Sequence, residues 1–268
     1  MWRGLYTGAT GMMTQQNRTS VIANNLANVN TTGYKRDRAL DAEFHPMLIR
    51  RINDDMPIHV TDFKGFSLHR RPPAVGTLGL GAYTSEVAVD HAPGAFMTTG
   101  NPLDLAISGN GFFVIDTPQG LRYTRNGNFY RTPTGDLVTS DGQAVLSRQG
   151  RPINIPENAT RIVVTPQGDI FADGAQVATL GFVEFGEAAD HRAMLKQGNS
   201  LFYPQEGAEA QPATGTIEQG VLERSNANVV SEMVDLIDNY RIYEANSKAV
   251  TTQDSMLDHA VNEVGRLS

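Results

Sequence analysis

The sequence contains few residues of the types that usually act in catalysis or bind metals, and those present are not spaced as such sites require. Among 268 residues there is no cysteine, which removes thiolate nucleophiles, disulfides and cysteine-ligated zinc together. No two of the six histidines have the His-x-x-x-His spacing of a zinc site, and no Gly-x-Ser-x-Gly turn exposes a nucleophilic serine. The sequence therefore predicts a protein that is not an enzyme and that has no catalytic residue, metal site or cofactor.

Two patterns invite a ligand-binding interpretation, and turn formation explains both better. The run Gly79-Leu80-Gly81 lacks a glycine three residues later and the Lys-Ser/Thr pair of a phosphate-binding loop, so we predict a turn there. Aspartates follow the glycines of two similar turns, at Asp136 and Asp169, without the ligand spacing of a calcium-binding EF-hand. Because aspartate favours turns, we interpret these positions as turns as well.

The charge and hydropathy of the chain exclude two classes of partner. With 22 basic and 29 acidic residues, the net charge of −7 is opposite to the basic surface expected of a nucleic-acid-binding protein. No apolar run approaches the roughly 20 residues needed to span a bilayer, and Met1 to Leu5 lack the apolar segment of a secretory signal. We expect no nucleic-acid partner, no membrane insertion and no cleavable signal peptide.

The longest regular pattern lies near the end of the sequence, from Asn228 to Val264. Positions alternately four and three apart are apolar except at Ser247 and Asp254, and this spacing is typical of a helix that packs lengthwise against another helix. Asn228 is a suitable N-cap and Gly265 a suitable stop. Such a helix would be roughly 54 Å long, which indicates a coiled coil or an assembly helix. Its predicted seam is Val229, Met233, Leu236, Tyr240, Tyr243, Ser247, Val250, Asp254, Leu257, Val261 and Val264.

A weaker helical pattern covers residues 2 to about 29 and could supply the partner helix. Gly4, Gly8 and Gly11 lie near one face, where they would let another backbone approach closely, although each costs about 1 kcal/mol relative to alanine. Such a helix is marginal by itself. It either packs on its own domain or forms only when neighbouring molecules supply a surface. Its predicted seam is Leu5, Ala9, Met12, Gln16, Thr19, Ala23 and Leu26.

Short apolar runs and turn residues between the helices predict a mainly antiparallel β-domain. Asn-Gly pairs separate the runs in 100–129 and indicate hairpins. Thr-Pro-x-Gly turns start at Thr117, Thr132 and Thr165 and suit type I geometry. We further predict a longer strand over residues 176–185 and a mobile connector over 206–215.

Residues 36–75 differ from both neighbours and are predicted to be an extended, variable segment. Residues 44–52 could form a short helix or an extended arm. Basic residues before the Pro72-Pro73 pair are interpreted as a solvated loop rather than a binding patch: Lys64, His69, Arg70 and Arg71.

Two motifs, one near each end, carry a resemblance to a known family. The first is Ala23-Asn24-Asn25-Leu26-Ala27-Asn28-Val29-Asn30-Thr31-Thr32-Gly33-Tyr34-Lys35; the second is Ser225-Asn226-Ala227-Asn228-Val229-Val230-Ser231-Glu232-Met233-Val234, continuing through Tyr243-Glu244-Ala245-Asn246-Ser247-Lys248-Ala249-Val250. In this order they resemble the signatures of the bacterial flagellar rod and hook family, the axial proteins of the basal body. The runs at 100–115 and 123–129 resemble the central β-rich domain of that family.

The resemblance implies a structural subunit of the flagellar basal-body rod, exported unfolded through the flagellar type III apparatus. It implies polymerisation into the axial helical tube that transmits torque from motor to hook, at an extracytoplasmic position in the cell envelope. The chain length and single modest β-domain favour a rod over a hook protein. Distal and proximal rod proteins share these motifs, and of the two we favour the distal type slightly. Implied partners are further copies of the chain, other axial proteins of rod and hook, bushing or ring proteins of the envelope, and the export apparatus.

The predicted architecture is α+β, with a coiled-coil-like assembly domain of two long terminal helices and an inserted, mainly antiparallel β-domain. Residues 1–35 and 225–268 form the helical domain, 36–75 the extended segment, and 76–224 the β-rich domain and connector. The predicted assembly interface is Leu5, Ala9, Met12, Ala23, Asn24, Asn25, Leu26, Asn28, Val229, Met233, Leu236, Tyr240, Tyr243, Val250, Leu257 and Val261.

Two alternatives remain open at the level of the sequence. The chain could be a secreted β-domain binding module that does not polymerise and whose terminal helices form a closed hairpin. It could also be another axial member of the family, such as a hook protein.

Overall fold

The structure, a computed structural model, describes residues 2–50, 74–185, 194–205 and 207–264. A long α-helix lies near each end of the chain, with short, mainly antiparallel strands between them, which confirms the predicted α+β class. The helices are α1, Trp2–Ala27, and α2, Val229–His259, which continues as a π-helix over Ala260–Val264. The strands are β1 Asp37–Glu43, β2 Met47–Arg50, β3 Ala74–Leu78, β4 Ala82–Val89, β5 Phe96–Thr98, β6 Leu105–Ser108, β7 Phe112–Thr117, β8 Gly120–Thr124, β9 Phe129–Arg131, β10 Leu137–Thr139, β11 Ala144–Val145, β12 Ile162–Val164, β13 Asp169–Ala172, β14 Ala175–Thr179, β15 Phe182–Phe185, β16 Met194–Gly198, β17 Leu201–Pro204, β18 Ala210–Pro212, β19 Thr216–Gln219 and β20 Val221–Glu223.

The chain forms two compact units, and each contains part of both helices. The first unit consists of Met1–Thr19, Leu40–Glu86 and Asp238–Ser268; the second consists of Ser20–Ala39 and Val87–Ile237. The predicted division at residues 35, 75 and 225 groups whole helices by their expected role in assembly, and it stays a prediction.

The ends of the helices follow from local sequence. The side chain of Asn228 accepts hydrogen bonds from the backbone N–H groups of Val230 and Ser231, at 2.9 and 3.2 Å, so the predicted N-cap of α2 is confirmed. After α1, the chain turns at Gly33, whose φ is +66°, as predicted for a left-handed position. The predicted stop at Gly265 lies outside the described residues.

The second unit contains the densely packed part of the β-structure. One nine-stranded sheet runs in the order β16-β17-β8-β7-β11-β10-β9, with β15 joining through β7 and β18 through β15. Three other sheets complete the unit: β12-β13-β14, β19-β6 and β20-β5. The main apolar core between these strands comprises Leu105, Ile107, Phe113, Ile115, Phe129, Leu137, Val145, Ile153, Ile155, Val164, Ile170, Ala172, Leu180, Leu201 and Ile217.

The three Thr-Pro-x-Gly turns join hairpins, as predicted. They connect β7 to β8, β9 to β10, and β12 to β13. In two of them the glycine N–H donates to the carbonyl of the starting threonine at 2.9 Å: Gly135 to Thr132, and Gly168 to Thr165. These glycines have φ values of +89° and +91°, which a residue with a Cβ rarely adopts.

Three local predictions for the β-domain are wrong because distant pairing prevails over local signals. The Asn-Gly pairs do not close hairpins, since β6 pairs with β19, and β8 and β9 pair with different strands. The long strand over 176–185 is two strands, β14 and β15, in different sheets. The predicted connector contains β18, which pairs with β15, and two further strands precede α2.

The first unit contains residues 40–50 and 74–75 of the segment predicted to be extended, and residues 36–39 belong to the second unit. Within 44–52, residues Met47–Arg50 form a strand that pairs with β3, so the extended form is confirmed for them. The backbone N–H of Phe44 donates to the carbonyl of Gly81 at 3.0 Å, and the rings of Phe44 and Tyr83 are 5.1 Å apart. The basic residues from Lys64 to Arg71 lie outside the described residues.

Candidate assembly surface

In the first unit, α1 and α2 approach each other so closely that glycine is required on one side. A Cβ built on Gly8 would lie only 2.7 Å from Cγ2 of Val250, and one built on Gly11 would lie 2.9 Å from Nδ2 of Asn246. Real Cβ atoms essentially never come within 3.0 Å of another heavy atom, so a Cβ at Gly8 would displace Val250, whereas the flexible amide of Asn246 can move away from a Cβ at Gly11. The predicted close approach of another helix backbone is confirmed at Gly8, where the Asn246 carbonyl oxygen of the same chain lies 3.6 Å from the built Cβ; the neighbours of Gly4 and Gly11 are side chains.

Amide side chains on α2 complete this contact. Asn239 is 2% exposed and donates from Nδ2 to the carbonyl of Gln15 at 2.8 Å and to Oγ1 of Thr19 at 2.5 Å. Asn246 and Gln253 follow at intervals of seven residues and face Gly11 and Gly4. A seven-residue interval returns to the same side of a helix, so a polar stripe faces α1.

Several contacts between α1 and α2 use residues one position before the predicted seam, and the predicted seam itself stays a prediction. Spacing arguments select large apolar residues, whereas this contact depends on small residues that allow close approach. The predicted positions Leu5, Ala9 and Met12 stand beside the observed Gly4, Gly8 and Gly11, and the predicted Tyr240, Ser247 and Asp254 stand beside the observed Asn239, Asn246 and Gln253. Val250 belongs to both sets.

Many residues of the predicted assembly interface are consequently exposed in the single chain. Tyr240 is 57% exposed and Val261 is 69% exposed, and large apolar side chains at such levels are available to another molecule. The exposed members are Ala9, Ala23, Asn24, Val229, Met233, Tyr240, Tyr243 and Val261; the half-buried members are Leu5, Met12, Leu26, Asn28, Leu236, Val250 and Leu257; Asn25 is buried.

The spacing argument did not select several exposed apolar residues on the same helices. On α2, Val230 is 70% exposed, and Val234 and Ile237 are also exposed. On α1, Tyr6 and Met13 are 67% and 65% exposed. If Gly4, Gly8 and Gly11 are taken as the side of α1 that faces α2, Tyr6 and Met13 are expected to be exposed, because they lie away from that side.

Residues of the two terminal motifs meet in the second unit, where the last turn of α1 lies against the first turn of α2. Asn25 is 2% exposed and donates from Nδ2 to Oε2 of Glu232 at 3.3 Å. The same amide donates to the carbonyl of Asp37 at 2.8 Å, while its Oδ1 accepts the Asp37 N–H at 2.8 Å and the Tyr34 hydroxyl at 3.1 Å. The assignment of Asn25 to an intersubunit interface stays a prediction, since these contacts are within the chain.

A buried ion pair joins the end of the first motif to β20, which lies just before the second motif. Nζ of Lys35 lies 2.6 Å from Oε1 of Glu223, and the two side chains are 1% and 0% exposed. Lys35 also donates to the carbonyl of Ala92 at 2.9 Å, and the N–H of Gly94 donates to Oε1 of Glu223 at 2.9 Å. The second carboxylate oxygen lies 3.7 Å from Nη1 of Arg125. A strand of the β-domain is thereby tied to the end of the N-terminal motif.

Burial governs the electrostatics of this cluster. Desolvation lowers the pKa of the Lys35 ammonium below its ordinary value, although the Glu223 charge acts in the opposite direction. Desolvation likewise lowers the pKa of the Arg125 guanidinium. A buried pair of this kind repays its desolvation only in part, and removing one partner alone is strongly destabilising. Its contribution is therefore to fix which segments meet.

Asn226 of the second motif bonds to the residue that follows the first motif and to the β-domain. Its Oδ1 accepts the backbone N–H of Arg36 at 2.7 Å, and its Nδ2 donates to the carbonyls of Asp90 and Ala92 at 2.8 and 3.0 Å. We call the set Asn25, Lys35, Glu223, Asn226 and Glu232 the joint.

A polar groove of about 780 Å³ in the second unit is lined by Asn24 and Asn28, two further residues of the first motif. Tyr34 and Asp37 also line it. Among the described residues, no group of three or more His, Asp or Glu side chains is placed to hold a metal ion. Within the same residues, neither helix has the length and apolar character needed to cross a membrane.

Three family models match the chain, in the order of its elements. The model described as "Flagella basal body rod protein" matches residues 5–35. The model "Flagellar hook protein FlgE/F/G D1 domain" matches residues 106–172, and "Flagellar basal body rod FlgEFG protein C-terminal" matches residues 218–263. The two terminal matches contain the five residues of the joint.

Similar proteins match over nearly their whole length. The flagellar basal-body rod protein FlgG of Agrobacterium fabrum is 37% identical over 265 residues, covering 95% of this chain and 96% of that protein. FlgG of Bacillus subtilis is 35% identical, covering 98% and 99%. The rod protein FlgF of Rhizobium meliloti is 32% identical, covering 99% of both chains.

Proposed function

The chain belongs to the flagellar basal-body rod protein family and is a structural subunit of the rod; from this premise we propose that it is a distal-rod subunit that polymerises through the outer faces of its two terminal helices. The FlgG name of the relatives at 37% and 35% identity agrees with the distal type. Subunits that meet head to tail without closing produce a helical polymer.

The observation that carries this proposal is the exposed apolar side of α2. Its inner side contacts α1 through amides and glycine, whereas Met233, Tyr240 and Tyr243 are 48%, 57% and 41% exposed. Large exposed apolar side chains, where they cluster, mark protein–protein contacts in soluble proteins. The predicted interface residues on this side would be covered only when a second copy or another axial protein packs against them.

The proposed partners follow from the same family membership. Other axial proteins of the rod and hook would contact the two ends of the polymer, and bushing or ring proteins of the cell envelope would surround it. The subunit would reach this extracytoplasmic position through the flagellar type III export apparatus. These assignments are proposals, supported by the family and by the predicted interface.

The paired helices also match the closed hairpin expected of the alternative, a non-polymerising binding module. Family membership decides between the two functions, because the compared relatives are named as basal-body rod proteins over nearly their full length. The hairpin then describes the single subunit, and its outer faces supply the contacts of the polymer.

Replacing Tyr240 with Asp tests the proposal. The variant places a charge in the proposed contact, so we expect soluble chains that do not enter polymers, with the β-structure still folded. Sedimentation and electron microscopy measure polymerisation, and far-ultraviolet circular dichroism measures folding. Tyr130→Asp is the matched control, because Tyr130 is similarly exposed, at 50%, on β9. Polymers of ordinary length from Tyr240→Asp would refute the proposed interface.

A further inference from the structure

The joint is built from residues that are far apart in the chain. The bond between Lys35 and Glu223 spans 188 residues, that between Arg36 and Asn226 spans 190, and that between Asn25 and Glu232 spans 207. The N–H of Gly33 also donates to the carbonyl of Glu223 at 2.8 Å. The end of α1 and the segment after it are therefore held in part by residues 223–232, beside contacts of Lys35 and Thr32 with Lys196 and Asn126 of the β-domain.

The N-terminal half of the joint is poorly satisfied without the C-terminal half. Lys35 is nearly inaccessible to solvent, and its charge would be left buried with only the Ala92 carbonyl as partner if Glu223 were absent. The N–H groups of Gly33 and Arg36 would also lose their acceptors. Burying an unpaired charge and two unbonded donors is unfavourable, so this segment should stay open until residues 223–232 are in place.

Local signals do not compensate for that loss. The first motif is rich in asparagine, which has low helix propensity, and α1 contains three glycines on its inner side. A helix of this composition depends on tertiary contacts to form. At its C-terminal end, Asn25 bonds to Glu232 of the joint, to Tyr34 near the end of the first motif and to Asp37 just after it.

We propose that the joint is a completion switch, which orders the N-terminal motif and the adjoining end of α1 only after the C-terminal segment has reached its place. An incomplete chain would then fold its β-core but would not present a correctly set pair of helix ends. The switch extends the proposed function, because the assembly surface would form only in a chain that contains both terminal segments. Its test concerns the single chain and does not require polymerisation, so the two proposals can fail separately.

Pulse-labelled hydrogen exchange during refolding of the full chain tests the order of closure. The reporter amides are Gly33 and Arg36, whose acceptors lie in the C-terminal segment. We expect them to become protected together with the amides of Arg224 and Glu232, and after the core amides of Leu146 and Ile153. Protection of Gly33 and Arg36 before Arg224 and Glu232 would overturn the proposal.

Glu223→Gln tests whether the buried carboxylate holds the switch closed. The native variant should lose protection about tenfold or more at Gly33 and Arg36, because a charged hydrogen bond is lost, while the core amides keep theirs. Glu218→Gln is the matched control on the neighbouring strand β19, where the side chain is exposed and no change is expected.

Two outcomes of the variant experiment would overturn the proposal. Full protection of Gly33 and Arg36 in Glu223→Gln would show that the joint does not depend on the carboxylate. Simultaneous loss of core protection would show that the joint is part of the core and not a separate switch. Asn226→Ala is a second test of the joint. It removes three hydrogen bonds from a less buried position, so the amide of Arg36 should lose exchange protection and that of Gly33 should keep it.

Discussion

The two units bury different kinds of residue. Among the described residues of the first unit, only Gly8, Thr14 and Asn239 are buried, and none has an apolar side chain. The second unit buries a large apolar core in which Phe113 and Ile115 are 0% exposed. The second unit thus contains the hydrophobic driving force of a folded domain, whereas the first places its apolar side chains outside.

This difference separates folding from assembly. A unit held by glycine contacts and amide hydrogen bonds gains little from burial of apolar surface, so its order in the single chain should be modest. The same unit gains when its outer side chains, such as Tyr6 and Tyr240, are covered by a neighbour. The exposed apolar side chains of the first unit therefore explain both its expected low stability in the single chain and its proposed role in the polymer.

Matched phenylalanine substitutions give the largest expected contrast between the units. Phe113→Ala should destabilise the second unit by about 3–5 kcal/mol, because it opens a cavity in the core. Phe44→Ala in the first unit should cost less than about 1.5 kcal/mol, since Phe44 is 39% exposed and loses mainly its contact with Tyr83. Urea unfolding measures both, and equal costs would contradict the distinction.

Replacing glycines of α1 with alanine tests whether the close contact between the helices stabilises the first unit. Gly8→Ala gains about 1 kcal/mol of helix propensity but forces Val250 away, for which about 1–3 kcal/mol is typical, so we expect net loss of exchange protection in residues 9–19. Gly4→Ala is the control, because its new methyl group meets the flexible end of Gln253 at 3.1 Å and should be tolerated. Relief of the loss by adding Val250→Ala would confirm the contact, and its persistence would count against it.

A pH-dependent contribution from Asp90 is the smallest of the three effects and belongs to the second unit. Burial alone would raise the pKa of its carboxyl, but hydrogen bonds from the Ala92 N–H and Arg36, with the charges of Arg36 and Arg38, lower it below the ordinary value. A lowered pKa means that this contribution is present above the unfolded pKa and is lost as the pH falls through the folded value. Asp90→Asn should therefore make the stability of the second unit less dependent on pH below about 4, in acid unfolding curves. An unchanged acid slope would contradict this assignment.

Local features of the fold were predictable where neighbouring residues suffice to cause them. Asn228 caps α2 through its own side chain, and the Thr-Pro-x-Gly turns close through bonds within four residues. Pairing of β6 with β19 was not predictable, because Asn110-Gly111 is a suitable turn that distant strand pairing overrides. The use of Gly8 and the amide of Asn239 in the helix contact was not predictable from apolar spacing, which selects large apolar residues.

The candidate site was likewise predictable only in part from the sequence. The sequence indicated the two motifs and the family they resemble, but it assigned Asn25 only to an assembly interface. The structure places Asn25 against Glu232 and Asp37, and it brings together Lys35 and Glu223. A buried ion pair between residues 188 positions apart leaves no periodic signal in either segment.

By itself, the sequence determined the two long helices, the N-cap of α2, the Thr-Pro-x-Gly turns of the β-domain and the kind of protein to which the chain belongs. These properties depend on side chains within a few positions of one another or on contiguous motifs. Only the tertiary structure decided which side of each helix is used within the chain, which strands pair, and that the two terminal motifs close a single joint. Those choices depend on contacts between distant segments, whose free energy exists only when both are in place.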